Sequence, residues 1–125
     1  MVSVKICGIT DARDARAAID LGAAALGFNF YEKSPRVIAP ADAWKIRQTL
    51  PKDLQTVGVF VNWKPAAVVA LAAALELSAV QLHGDEAPKD AALCARKVAV
   101  IKAFRVGKEF SLPAFGKFQI GRAHV

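Results

Sequence analysis

The hexapeptide Lys5-Ile6-Cys7-Gly8-Ile9-Thr10 sets an ammonium, a thiol and a glycine turn within six residues. A thiolate accepts protons and attacks electrophiles, and a neighbouring ammonium raises the thiolate fraction of a cysteine. Val2 to Ile6 reads as a short buried strand, and Gly8 with Thr10-Asp11 as a tight turn into a helix, so Cys7 falls at the strand's C-terminal end. In β/α folds that end is where ligands bind and catalytic side chains sit. Alternation along the strand sends Lys5 and Cys7 to one face, about 7 Å apart. A free cysteine is, as a bare residue type, most often a small buried hydrophobe. Position and neighbours favour the chemical reading for Cys7. Cys94, inside Ala91-Ala92-Leu93-Cys94-Ala95, reads instead as helix core. Two cysteines with no metal-like spacing and no secretory leader suggest a reducing cytoplasm rather than a disulfide framework.

The elements that must position this thiol alternate strand-like and helix-like patterns with short turns, which predicts βαβ units and a parallel sheet. The strands are expected at Val2 to Ile6, Ala25 to Phe30, Thr56 to Val61, Ala79 to Leu82 and Val98 to Phe104, apolar on both faces as buried parallel strands are. The helices are expected at Ala12 to Leu21, Ala41 to Leu50, Pro65 to Leu75 and Ala87 to Arg96. Asp11 and Asp85 or Glu86 stand near helix starts, Gly22 just past a helix end, and Pro65 in a first turn. Pro65 to Leu75 is so apolar that neighbouring helices or a partner subunit are expected to cover it.

With 125 residues, 54% of them apolar and 22% charged, the chain suits one domain or a piece of one. Its longest apolar run, Pro65 to Leu75, falls far short of the roughly 20 residues that cross a bilayer. A net charge of +6 raises anionic partners. The basic residues are scattered, without a Lys/Arg block or interleaved aromatics, so they read as solvated helix faces and nucleic acid is not expected as a partner. Four βα units and a fifth strand match neither common architecture as they stand. A closed eight-stranded barrel takes about 200 to 250 residues. A dinucleotide fold calls for a GxGxxG turn, which Cys7-Gly8-Ile9-Thr10 lacks. The final heptapeptide, Gln119 to Val125, has a reverse translation resembling the start of a sequencing-library adapter. The expected organisation is therefore residues 1–118 as part of one barrel domain and 119–125 as a non-native tail.

Four motifs at successive strand ends resemble the phosphoribosylanthranilate isomerase family of tryptophan biosynthesis. They are Val4-Lys5-Ile6-Cys7-Gly8-Ile9-Thr10; Gly27-Phe28 with Tyr31 and Ser34-Pro35-Arg36; Val57-Gly58-Val59-Phe60-Val61-Asn62; and Val80-Gln81-Leu82-His83-Gly84. The resemblance runs in order over about residues 2–118. It implies a parallel (β/α)8 TIM barrel, here truncated to about five strands and four helices, that performs an Amadori rearrangement without metal or organic cofactor. Its substrate would be N-(5-phosphoribosyl)anthranilate and its product 1-(2-carboxyphenylamino)-1-deoxyribulose 5-phosphate.

That chemistry needs a general acid at the ribose ring oxygen and a general base at the adjacent carbon. Cys7 matches the family's base, and Lys5 is the group on its face expected to tune it and to face substrate. Arg36 matches the residue that engages the anthranilate carboxylate, a role suited to a guanidinium fork. His83 is expected at the substrate mouth, hydrogen-bonding substrate or orienting a neighbour, with a core or supporting role equally open and no acid-base work assigned. Asn62 and Arg105 fall near strand ends, and Asp85 is expected to cap a helix. The family's acid, an aspartate ending the sixth strand, and its phosphate-binding loops fall beyond this chain, so these 125 residues are not expected to be a competent isomerase. Two other readings stand beside this one: another phosphosugar barrel enzyme with no need for Cys7, and a half-barrel that dimerises into a ligand-binding module.

Overall fold

The computed structural model describes residues 2–104 and the backbone of residues 122–124. The order is β1 (Lys5–Cys7), α1 (Ala12–Asp20), β2 (Ala25–Asn29), α2 (Pro40–Gln48), β3 (Gln55–Phe60), α3 (Pro65–Leu75), β4 (Ala79–Leu82), α4 (Pro88–Ala95), β5 (Ala99–Ala103) and β6 (Arg122–His124). Each strand pairs in parallel with the next, giving the sheet order β1-β2-β3-β4-β5-β6. Doubly wound sheets reverse their strand order at a switch point. This sheet never does, so its crossovers stack the helices on one side, as in a β/α barrel.

Register assigns the two faces. Cys7 pairs with Gly27, Gly27 with Val57, Val57 with Ala79, and Ala79 with Ala99. By alternation, one face carries Lys5, Cys7, Asn29, Val59, Gln81 and Ile101. The opposite face carries Leu26, Phe28, Phe60, Val80, Leu82 and Val100, all buried against Ala15, Ala43, Ile46, Val68, Leu75 and Ala91 of the helices. The hydrophobic core therefore lies between sheet and helices, and the other face is left for chemistry.

Local signals fix the helices. Asp11 Oδ1 accepts from the Asp14 N–H at 2.8 Å, capping α1, and Gly22 takes φ +91 just past its end. Prolines open α2, α3 and α4. Buried Arg47 of α2 donates to the carbonyls of Leu75, Pro51 and Lys52, tying the C-terminal end of α3 to the loop before β3.

Two expectations are corrected. Strand β1 is not buried on both faces: it is the sheet edge, and all three of its residues are exposed. Within this chain helix α3 is covered along one stripe, Val68, Ala72 and Leu75, and its outer face is exposed alanine. Asp85 caps no helix: α4 begins at Ala87-Pro88 with no side-chain cap, and the Asp85 N–H is instead drawn to Asn62 Oδ1. Arg105 lies outside the described residues. Of the expected tail, the backbone of Arg122–His124 runs beside β5, pairing Ile101 with Arg122.

Candidate active site

Cys7 ends β1 on the open face and is exposed, and its sulfur lies over Gly27 of β2. A Cβ on Gly27 would stand 2.9 Å from Cys7 Sγ and 3.2 Å from its Cα, so the glycine makes the room the thiol occupies. Immediately after it the chain turns at Gly8, whose φ of +84 favours glycine. The Gly8 and Ile9 N–H groups both donate to the Gly27 carbonyl, holding the strand end against β2. Lys5 shares the face with Cys7, two residues earlier, as the strand pattern predicts.

Arg36 arrives from the loop after β2, whose turns are set by side chains. Asn29 Oδ1 accepts from the Tyr31 N–H at 2.9 Å, Ser34 Oγ accepts from the Arg36 N–H at 3.1 Å, and the Ile38 N–H returns to the Asn29 carbonyl. The folded loop lays the Arg36 side chain across Gly8: a Cβ there would meet Arg36 Cδ at 2.5 Å. Gly8 thus serves twice, as a left-handed turn and as the floor under the arginine. Arg36, 29 residues after Cys7 in sequence, is thereby brought against the residue that follows the thiol.

His83 follows β4 directly and is exposed, its N–H donating to the Phe60 carbonyl at 2.9 Å. Its Nδ1 lies 3.2 Å from Gln81 Nε2, within hydrogen-bonding distance. The main feature that sequence reasoning missed lies behind the next loop. Lys102, in the middle of β5, is 4% exposed and donates to Glu86 Oε1 at 2.9 Å and to the Gly84 carbonyl at 2.6 Å. Glu86 also accepts from the Gly84 N–H and, at 2.8 Å, from the N–H of Asn62, a residue in the left-handed region at φ +57. Burial pushes the Glu86 carboxyl up, but hydrogen bonds from Lys102, from the Asn62 N–H and from its own backbone outweigh it and hold it below the ordinary glutamate value. The one signal available in the sequence was a lysine inside the otherwise apolar run Val98 to Phe104. Asn62, expected near a strand end, is committed to this network. Cys94 is core as expected, its thiol pushed up by burial and by the Asp90 and Glu86 carboxylates.

A sequential all-parallel βα sheet, with Cys7 and His83 at the strands' C-terminal ends, places the chain in the (β/α)8 barrel class of folds. The family model for N-(5'-phosphoribosyl)anthranilate (PRA) isomerase matches residues 4–121, and the chain belongs to that family. It is 48% identical over 120 residues to the N-(5'-phosphoribosyl)anthranilate isomerase of Pelobacter propionicus, covering 96% of this chain and 56% of that protein. To the Geobacter sulfurreducens enzyme of the same name it is 47% identical over 125 residues, covering all of this chain and 60% of the relative. The chain thus spans somewhat over half the length of these relatives. Among solved structures, the Thermus thermophilus phosphoribosyl anthranilate isomerase superposes with TM-score 0.83 at 40% identity, covering 94% of this chain and 58% of that one. A phosphoribosyl anthranilate isomerase in complex with reduced 1-(o-carboxyphenylamino)-1-deoxyribulose 5-phosphate gives TM-score 0.82 at 47% identity, covering 87% and 56%.

Proposed function

We propose that this chain supplies the proton-abstracting and carboxylate-binding part of an N-(5'-phosphoribosyl)anthranilate isomerase site. One observation carries the reading: the Arg36 side chain lies across Gly8, the residue that follows the exposed Cys7 at a strand's C-terminal end. A guanidinium there presents a planar donor fork to the substrate's aryl carboxylate. The Cys7 sulfur then meets the aminosugar carbon. When the ribose ring opens to an iminium, the thiolate takes the proton from the adjacent carbon, and the resulting enolamine tautomerises to the ketone. His83 and Gln81 stand on the same face and supply polar contacts to the sugar.

Ring opening needs an acid at the ring oxygen. No carboxylate stands on the strand face of Cys7 among the described residues. In this reading the acid and the phosphate-binding loops come from the remaining strands of the barrel, and these 125 residues alone do not turn over substrate.

The test is a complete barrel in which residues 1–104 of this chain replace the matching part of the Geobacter sulfurreducens relative. The folded chimera is expected to convert phosphoribosylanthranilate to the aminodeoxyribulose phosphate, and Cys7→Ser to lose roughly 100- to 10,000-fold in kcat/KM. A Cys7→Ser barrel of nearly full activity would point instead to another phosphosugar reaction.

A further inference from the structure

The site described above uses one face of the sheet. On the other face, between β5 and the start of α4, lies a charged network built on the buried pair Lys102 and Glu86. Register pairs Lys102 with Leu82, and both side chains are buried on the helix side. The network joins the C-terminal ends of three consecutive strands. Lys102 belongs to β5, Asn62 follows β3, and Gly84 and Glu86 follow β4. Gly84 is held at both of its backbone groups: its N–H donates to Glu86 Oε1 at 2.9 Å and its carbonyl accepts from Lys102 Nζ at 2.6 Å. A Cβ on Gly84 would stand 2.6 Å from Asn62 Oδ1, so no side chain fits there. The Asp85 N–H closes the set on Asn62 Oδ1 at 2.8 Å. The residue between this grip and β4 is His83, whose own N–H is pinned to Phe60.

A buried ion pair is a poor source of stability, because desolvation offsets its attraction and a hydrophobic pair of similar volume often serves as well. What a pair like this adds is direction. It holds both backbone groups of Gly84 in the loop after β4 and the Asn62 N–H after β3, and so fixes where these backbones run.

We infer that Lys102, acting through Glu86 and the Gly84 backbone, is a positioning residue that sets His83 at the mouth of the site. This rests on the proposed isomerase reading for its kinetic consequence, but not for its geometry.

The experiment is a double-mutant cycle in the chimeric barrel, combining Lys102→Met with His83→Ala. Lys102→Met alone is expected to lower kcat/KM at least about tenfold, as small misplacements of a contact residue do. In the His83→Ala background the same change is expected to alter kcat/KM by less than about twofold, because the group it positions is gone. Equal losses in both backgrounds would overturn the inference, as would a variant that loses thermal stability while keeping kcat/KM. Should Lys102→Met not fold, Glu86→Gln takes its place with the same expectations and the same contrary results. A second readout is the ¹⁵N resonances of the His83 ring, expected to shift in the variant; unmoved resonances overturn the inference even if the unsubstituted barrel shows no isomerase activity. That lack of activity would count against the proposed function alone.

Discussion

Cys7 and Arg36 illustrate how differently two residues of one site can be read. The thiol's place at the end of a strand followed directly from an apolar run, a glycine turn and a helix cap, all contiguous in the chain. The contact of Arg36 with Gly8 depends on how an Asx turn and a serine turn fold the loop after β2, which no residue spacing reports. The family resemblance suggests the role, and the fold brings Arg36 against Gly8. Arg36→Ala is expected to raise KM about 10- to 100-fold with a smaller effect on kcat, the value of a charge-assisted hydrogen bond to a ground-state carboxylate. Steady-state kinetics in the chimeric barrel measures the split. Gly27→Ala drives a methyl group to 2.9 Å from Cys7 Sγ and 3.2 Å from its Cα. It is expected to destabilise the barrel by about 1–3 kcal/mol and to lower kcat together with Cys7 alkylation. Denaturant unfolding and thiol labelling read these separately.

Among the elements, the five expected strands and four expected helices all form, with bounds within a residue or two except that β1 starts three residues later than expected; β6 is not among the expected strands. The differences lie where tertiary pairing rules. Position in the sheet decides that β1 is exposed, and the loop after β4 gives Asp85 to Asn62 instead of to a helix. The link between Glu86 and Lys102 was illegible because it joins two elements 16 residues apart, and a charged side chain in a strand carries no sign of its partner. Its pH signature is definite. A glutamate held below its unfolded value of about 4.3 contributes stability that is complete above that pH and is lost as pH falls through the folded value. Thermal unfolding across that acid range is expected to fall less steeply in Glu86→Gln than in the parent. Curves that stay parallel would show that the carboxyl does not hold the loop. Helix α2 depends on a second buried charge. Arg47→Leu strips donors from the carbonyls of Leu75, Pro51 and Lys52, and about 3 kcal/mol of destabilisation is expected in urea.

For the whole molecule, the sequential parallel sheet brings the reactive side chains to one open face and leaves β1 as an edge. Along that edge Val2, Val4 and Ile6 are 87%, 48% and 39% exposed. Unpaired parallel strand edges with apolar side chains invite pairing with other chains. The isolated 125-residue chain is expected to sediment as a polydisperse, concentration-dependent mixture. A compact dimer independent of concentration would support the half-barrel binding module instead. The central claim is that Cys7 is the base of a phosphoribosylanthranilate isomerase, and the direct measurement is conversion of that substrate by the chimeric barrel and its Cys7→Ser variant. Turnover in the first and a loss of at least about 100-fold in the second is the predicted result. A folded chimera without turnover, or a serine variant that matches the cysteine, would contradict it.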